Sequence, residues 1–200
     1  GDTSATFEAS LQGPKIIPGM YTVKLIVDDK VVMEQPFTII TDPRNPSTIA
    51  DLKEQFDLNA TICKKLNELS KATGQIKKVT TQINDFLSTI MDSAVAKPFR
   101  AKGKAITDAL DLVKNELFNE KIQANEDNLR FPLKLEEKLA TMNYMLQASD
   151  TKPTAGMYAV YHSLSSQIDT QLQKLKNILD TQVSGFNAMS KGMLSDVPVK

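Results

Sequence analysis

Residues 47–91 read STIADLKEQFDLNATICKKLNELSKATGQIKKVTTQINDFLSTIM. From Ile62 onward, apolar residues recur at alternating steps of four and three, and two threonines interrupt the series: Ile62, Leu66, Leu69, Thr73, Ile76, Thr80, Ile83, Leu87 and Ile90. This spacing is typical of a helix that packs against other helices along most of its length. We therefore predict one long helix over residues 47–91 and expect the rest of the chain to be organised around it.

The start and the middle of this helix leave alternatives open. Asn45, Ser47 and Thr48 are all residue types that cap helices, and Asn45 would place Pro46 in the first turn. Gly74 lies in mid-helix, where glycine costs about 1 kcal/mol relative to alanine. It marks either a bend or close helix contact, or a tolerated surface position.

Three further helices are indicated by apolar stripes of the same period. Their core-facing residues are Ile106, Leu110, Val113 and Leu117 in the second, Leu135, Leu139, Met142 and Leu146 in the third, and Met157, Tyr161, Leu164, Ile168, Leu172, Leu175, Leu179, Phe186 and Met189 in the fourth. We expect the third helix to open at Phe131 and Thr154 to cap the fourth. The first and fourth helices are long and the other two are short, which predicts an antiparallel bundle in which the fourth helix is the antiparallel partner of the first.

Residues 94–104 are predicted to form a loop between the first two helices. Pro98 and Gly103 interrupt the periodic pattern there, and four basic residues make the segment cationic: Lys97, Arg100, Lys102 and Lys104. A phosphate or nucleic-acid contact is the alternative, but a solvated loop explains the charges without a ligand.

Residues 19–40 are predicted to form a β-hairpin. Tyr21, Val23, Leu25 and Val27 alternate with other residues as in a half-buried strand, and Val31, Met33, Phe37 and Ile39 continue the pattern after a turn at Asp28-Asp29-Lys30. Pro36 cannot donate to a ladder, which indicates a free edge or a bulge at that point. A two-stranded hairpin is marginal alone in water, so we expect something outside it to cover its apolar face.

Composition and charge limit the function. Of 200 residues, 24 are Lys or Arg and 24 are Asp or Glu, and this balance disfavours binding to nucleic acids or to anionic membranes. No apolar run approaches the roughly 20 residues of a membrane span. A single cysteine excludes an internal disulfide. The chain opens on Gly1 without a methionine, so we expect the native N-terminus to lie upstream.

The sequence offers few residues for catalysis or metal binding. Cys63 neighbours Ile62 and is expected to be a buried, inert thiol, and His162 has no recognisable nucleophile, base or metal partner around it. The acidic pairs at residues 126–127 and 136–137 are expected to lie on solvated surfaces. We therefore assign no catalytic, cofactor-binding or metal-binding residue and expect no cofactor.

Several short motifs together resemble one family of proteins. They are PGMYTVKL at 18–25, QPFTI at 35–39, DPR at 42–44, FPLKL at 131–135, KPT at 152–154, QIDTQL at 167–172 and FN at 186–187. These are similar to the C-terminal region of large bacterial exported proteins that carry a sortilin-like, BNR-repeat β-propeller upstream. Asp29 stands where the family usually has glycine, which affects the expected turn type and not the hairpin.

The resemblance implies an exported, periplasmic or cell-surface location and a parent protein of glycosyl-hydrolase-like type. It implies that residues 1–42 are the closing part of an Ig-like module and that residues 43–200 are a helical bundle domain. The expected role is a non-catalytic accessory or protein-interaction domain, with the upstream propeller and Ig-like segments as partners. An oligomerisation or spacer bundle, and an enzyme with its site in a bundle cleft, are the alternatives.

Overall fold

The computed structural model describes residues 13–90, 96–122, 127 and 129–190. Two strands come first, β1 (Gly19–Val27) and β2 (Lys30–Ile39), and the helices α1 (Ile49–Thr89), α2 (Ala96–Leu117), α3 (Leu135–Gln147), α4 (Ala155–Asn177) and α5 (Ser184–Ser190) follow. A π-helical segment, Ile178–Val183, joins α4 to α5. The predicted class is confirmed: the chain is a mainly helical bundle with an N-terminal antiparallel hairpin.

The two short helices, α2 and α3, run antiparallel to α1. Phe99, near the start of α2, has its ring 5.6 Å from that of Phe86, near the end of α1. Asn143, near the end of α3, accepts a hydrogen bond of 2.5 Å from Asn59, near the start of α1. Their 22 and 13 residues together approach the 41 residues of α1, so the two helices cover its length one after the other.

The last rod, formed by α4, the π-helical segment and α5, runs parallel to α1. The Lys65 ammonium on α1 lies 2.7 Å from the Asp169 carboxylate on α4. Further along both elements, the rings of Phe86 and Phe186 lie 5.4 Å apart. The prediction that the fourth helix is the antiparallel partner of α1 is therefore wrong. Because α2 and α3 lie end to end along α1, the chain runs the length of the bundle three times. Its last pass, which α4 begins, is therefore parallel to α1.

The buried seam of α1 has two rows, of which the sequence pattern identified one. Ile62, Leu69, Ile76 and Ile83 are buried, as predicted. The second row is Leu58, Ala72, Val79 and Phe86, whereas the predicted Leu66, Thr73, Thr80, Leu87 and Ile90 are only partly buried. The residues of this row recur every seven positions, and Lys65 occupies the position between Leu58 and Ala72. Because lysine is charged, the row was not recognised in the sequence as an apolar repeat.

The predicted loop at residues 94–104 is wrong, because α2 already begins at Ala96. Pro98 lies in the first helical turn, where an N–H group has no intrahelical partner to lose. Gly103 is buried, and a Cβ atom at this position would lie 2.8 Å from Leu87 Cδ1 and 3.1 Å from Ile83 Cγ2. Its missing side chain allows α1 and α2 to approach, so the glycine is a packing residue and not a loop signal. Residues 94 and 95 lie outside the described residues.

Of the four predicted helix starts, those of α1 and α4 agree with the sequence, and for α1 the structure selects Thr48 from the three candidates Asn45, Ser47 and Thr48. Thr48 is the cap of α1, where its hydroxyl accepts from the Asp51 amide at 3.1 Å and Asp51 accepts from the Thr48 amide at 2.9 Å. Thr154 caps α4 as predicted. By contrast, α3 begins at Leu135 and not at Phe131.

The π-helical segment changes which residues of the last rod face the core. Ile178 and Val183, at its two ends, are both buried although they are five positions apart, which is longer than the usual three or four. The extra residue rotates the following turns, so that Ser190 is buried and Met189 is 36% exposed. The prediction of Met189 as a core residue is wrong for this reason.

Gly74 of α1 and Gly103 of α2 give a matched test of this packing. Nothing lies within 4 Å of a Cβ atom built on Gly74, whereas one built on Gly103 would overlap α1 side chains. We expect Gly74→Ala to raise the free energy of unfolding by about 1 kcal/mol through helix propensity. We expect Gly103→Ala to lower it by about 1–3 kcal/mol, since overpacking outweighs the same gain. Urea denaturation of both variants measures the difference, and equal shifts would contradict the close contact.

Candidate interaction surface

The hairpin projects from the end of the bundle at which α1 begins, and the helices do not cover it. Within the described residues, neither strand approaches the backbone of any helix. The turn is formed by Asp28 and Asp29, both with positive φ, at 48° and 60°. This is the geometry of the two-residue hairpin turns that match the twist of the strands. The predicted turn is confirmed, with aspartate in two left-handed positions that glycine or asparagine occupies more readily.

The hairpin has one predominantly apolar face. Directly paired residues lie on the same side of a sheet, so the pairs place on this face Tyr21 with Phe37, Val23 with Gln35 and Leu25 with Met33. Lys24 and Glu34 pair on the opposite face, where their charged groups lie 2.7 Å apart. The predicted apolar face is therefore correct for most of its length.

A β-bulge corrects the prediction near the turn. Leu25 pairs with Met33 while Ile26 pairs with Val31, so that Val32 is an extra residue of β2. Val31 consequently lies on the side of Ile26 and not on the side of Leu25. Val31, Val32 and Met33 are all apolar, so the hydrophobic pattern contains no signal for this bulge.

The side chains of the apolar face are open to solvent. Val23 is 57% exposed, Leu25 54%, Met33 64% and Phe37 43%. Burying an apolar side chain of this size is worth about 1.5–3 kcal/mol, so leaving several of them in water forgoes a large stabilisation. A contiguous apolar face of this kind is typical of an interaction surface. We call the side carrying Tyr21, Val23, Leu25, Met33 and Phe37 the apolar face.

The base of the hairpin is attached to the bundle by polar contacts around Asp150, in the connection between α3 and α4. Its carboxylate accepts from Lys15 Nζ at 2.9 Å. Its backbone carbonyl accepts from Asn45 Nδ2 at 2.9 Å and from Ser47 Oγ at 2.8 Å. These exposed contacts attach the base of the hairpin to the bundle, while no described helix covers its apolar face.

Cys63 is only partly buried, and the prediction that it is buried is wrong to that extent. Its Sγ atom lies 3.9 Å from Asn59 Oδ1, and burial raises the pKa of the thiol. A raised pKa lowers the thiolate fraction, so the environment reduces the reactivity of the thiol.

His162 lies on the exposed side of α4. It borders a shallow groove with Ser165, Ser166 and Asp169, and every residue lining this groove belongs to α4. Within the described part of the chain, the contact recorded for the imidazole is with the neighbouring Tyr161 ring, whose centroid is 5.6 Å away. The groups therefore lie along one helix and do not converge from several elements, as the groups of a catalytic site do.

The acidic pairs have separate roles. Glu126 lies outside the described residues, and the backbone carbonyl of Asp127 accepts hydrogen bonds from the amides of Arg130 and Phe131. Glu137 closes the start of α3, because its carboxylate accepts from the Lys134 amide at 2.8 Å and from the Asn119 amide at 3.0 Å. The expectation of a solvated surface is thus wrong for Glu137, which joins α3 to the segment that follows α2.

Glu136 is half-buried beside Glu137. Burial raises its pKa to about 7, and the charge of Glu137 adds to the effect. The charge of Glu137 was visible in the sequence as part of the acidic pair, whereas the burial of Glu136, which is the larger cause, depends on how α3 packs. The charged form of Glu136 is therefore destabilised in the fold.

Buried polar residues between α1 and α3 were also missed. Asn59 and Asn143 pair in the core, and Gln55 donates to the carbonyls of Leu146 and Ser149 at 2.6 and 2.5 Å. These bonds hold the last turn of α3 against the start of α1. Their signal in the sequence is the position of Gln55 and Asn59 on the buried side of α1, ahead of Ile62. Gln55, Asn59 and Asn143 therefore have a structural role in joining α1 to α3.

Comparisons of the chain with protein-family models, with curated proteins and with solved structures gave no significant match. Among the described residues, no group of three or more His, Cys, Asp or Glu side chains could hold a metal ion. Over the same residues, no helix is long and apolar enough to span a membrane.

Substituting Glu136 tests its burial through the pH dependence of stability. Its pKa rises from 4.5 to about 7 on folding, so neutral Glu136 stabilises the fold fully below about pH 4.5, and this contribution is lost as the pH rises through 7. Glu136→Gln should therefore raise the free energy of unfolding near pH 8 by about 1 kcal/mol, a figure reduced for its partial exposure, and change it little near pH 4. Denaturation at both pH values measures this. Glu116→Gln, at an exposed position of α2, is the control, and equal effects of the two substitutions would contradict the assignment.

Proposed function

We propose that this chain is a non-catalytic accessory domain that binds protein through the apolar face of its hairpin. The observation that carries the proposal is the exposure of Val23, Leu25, Met33 and Phe37 on a hairpin that no described helix covers. The bundle supports this hairpin, and the contacts of Asp150 with Lys15, Asn45 and Ser47 fix its base. A protein surface is the partner of choice, because the face is apolar and the chain has no net charge to attract nucleic acid.

The partner we propose is the Ig-like segment of the same parent protein, next to its propeller. A complete Ig-like sandwich needs roughly seven strands in about 100 residues, and the hairpin supplies two of them. The inner faces of two packed sheets are apolar, which matches the apolar face of the hairpin in chemistry. The resemblance to exported BNR-repeat proteins supports this partner, and with it an exported, periplasmic or cell-surface location.

The geometry favours this role over the enzyme alternative. His162 lies on a groove built from one helix, and Glu137 is engaged with backbone amides. The groove at His162 draws its groups from a single helix, whereas the groups of a catalytic site converge from several elements. The oligomerisation alternative uses the same exposed face, so the experiment that tests docking must also report the assembly state of the chain alone.

Two neighbouring residues of β1 provide a matched pair of variants for this test. Leu25 lies on the apolar face and Ile26 on the other side, and they are 54% and 59% exposed. A separate protein made from about 60 residues encoded upstream, enough to complete a sandwich, serves as the binding partner. We expect Leu25→Asp to weaken its binding at least tenfold, because the substitution places a charge in an apolar interface, and Ile26→Asp to weaken it much less.

Titration calorimetry measures both affinities, and sedimentation of the chain alone measures its assembly state. Binding that Leu25→Asp and Ile26→Asp weaken equally would contradict docking through the apolar face. Stable dimers of the chain alone that Leu25→Asp dissolves would instead assign the face to oligomerisation. An upstream segment that does not bind at all would overturn the proposed partner.

A further inference from the structure

The outer edge of β2 is blocked against another strand. Because two residues form the turn, Val27 and Lys30 are a hydrogen-bonded pair. Alternation along β1 then makes Thr22 and Pro36 a non-hydrogen-bonded pair, so the nitrogen of Pro36 faces outward, where it offers no donor. The extra residue Val32 disturbs the same strand. Proline and bulges are devices by which natural sheets block an edge.

The outer edge of β1 is regular. The bulge lies in β2, so the alternation of β1 is unbroken over its nine residues, which include no proline. Among the described residues, no other strand pairs with this edge. Its outward backbone groups belong to Met20, Thr22, Lys24 and Ile26. A row of unpaired N–H and C=O groups of this kind is a template for pairing with another chain.

We propose that two copies of this chain pair antiparallel through the outer edges of their β1 strands and form one continuous four-stranded sheet. A two-fold dimer of this type uses the same surface on both copies. Val23 is the middle residue of β1, so a two-fold axis beside it pairs all nine residues of one strand with all nine of the other. In this register Thr22 lies opposite Lys24 of the second copy, and both residues direct their backbone N–H and C=O groups outward.

Length and charge select this register over its neighbours. Outward groups must meet outward groups, so the axis could also lie beside Thr22 or Lys24. Either shift by one residue removes two of the nine pairs. An axis beside Lys24 would also place two ammonium groups directly opposite each other, which destabilises a ladder. With the axis beside Val23, Lys24 faces the neutral Thr22 and keeps its ion pair with Glu34, at 2.7 Å.

The side chains that meet across the two copies are compatible on the apolar face. Tyr21 lies opposite Leu25 of the second copy, and the two Val23 side chains lie opposite each other. Phe37 pairs with Tyr21, and Met33 pairs with Leu25, so a row of four apolar side chains crosses the sheet. Apolar pairs directly across a ladder stabilise it. The chain also has a formal net charge of zero, so two copies do not repel each other at long range.

The dimer leaves the apolar face open and does not depend on the proposed partner. The two-fold axis is perpendicular to the sheet, so both copies present their apolar faces on the same side. The edge of the hairpin would bind a second copy, and its face would bind the partner. The binding experiment above can therefore fail while this inference holds, and the reverse is also true.

A matched pair of proline variants tests the use of the β1 edge. Lys24 and Glu34 pair directly in a non-hydrogen-bonded position, so their amides face outward on opposite edges. Lys24→Pro and Glu34→Pro each remove the same ion pair, and Pro36 shows that the hairpin accommodates proline at an outward position. Only Lys24→Pro removes a donor from the β1 edge.

Sedimentation equilibrium over a range of concentrations measures the dimer of the parent chain and of both variants. We expect Lys24→Pro to weaken dimerisation at least about tenfold, because each dimer loses two intermolecular hydrogen bonds. Glu34→Pro should leave it within about threefold, since an exposed ion pair contributes little. A parent chain that stays monomeric at every concentration would overturn the proposal, as would equal effects of the two variants. A dimer that Leu25→Asp dissolves and Lys24→Pro does not would be joined through the apolar face and would also overturn it.

Cysteine cross-linking tests the register without proline. In a Cys63→Ala background, Val23→Cys and Leu25→Cys each place a thiol on the apolar face, at positions that are 57% and 54% exposed. The proposed axis brings the Cα atoms of the two residues 23 to about 4.5 Å, within the range that a disulfide spans. It leaves the two residues 25 about 13 Å apart along the strands.

We expect Val23→Cys to form a disulfide between chains at least about tenfold faster than Leu25→Cys in a glutathione redox buffer, because pairing raises the effective concentration of its thiols. Non-reducing electrophoresis measures both rates. Equal rates, or faster cross-linking of Leu25→Cys, would contradict the proposed dimer.

Discussion

The structure depends on the burial of one continuous apolar seam along α1. Ile62, Leu69, Ile76 and Ile83 are almost inaccessible to solvent, and each contributes about 1.5–3 kcal/mol by leaving water. Neither α2 nor α3, the two described helices that run antiparallel to α1, is as long as α1, so they cover the seam one after the other. At the far end of α1, Phe86 meets Phe99 and Phe186, which ties all three rods together through aromatic contacts.

In contrast to α1, the hairpin leaves its apolar side chains exposed. Its apolar face has no cover among the described residues, and its links to the bundle are exposed polar contacts around Asp150, including an ion pair whose stabilisation is about 0–1 kcal/mol. The chain thus combines a helical bundle that buries its apolar side chains with a hairpin whose apolar face is exposed to solvent. This contrast is the physical basis for proposing an interaction domain, and it places recognition on the strands and support on the helices.

The sequence predicted the features that follow from periodicity or from local chemistry. The long helix, the cap at Thr154, and the hairpin with its aspartate turn belong to this group, and the cap at Thr48 was one of three candidates. Contacts between distant segments were not predictable from one sequence. Gly103 led to the prediction of a loop, because the α1 side chains that it packs against lie far away in the sequence. The direction of α4 was also not predictable, because it depends on α2 and α3 lying end to end along α1. For the same reason, Lys65 concealed the second buried row of α1, although Asp169 and Glu68 satisfy its charge. At the candidate site, the apolar face was predictable from alternation, while the bulge at Val32 was not.

The central claim is that the bundle is stable on its own whereas the hairpin, in the absence of a partner, is not. Native-state hydrogen exchange of the complete chain measures this most directly, because it gives an opening free energy for each amide. Amides of Ile62, Ile83 and Leu110 should share one high opening free energy, equal to that of global unfolding. The amides of Val23 and Leu25, which point into the hairpin, should open at a clearly lower free energy. Equal opening free energies in hairpin and bundle would contradict the account, because they would show that the two parts unfold as one unit.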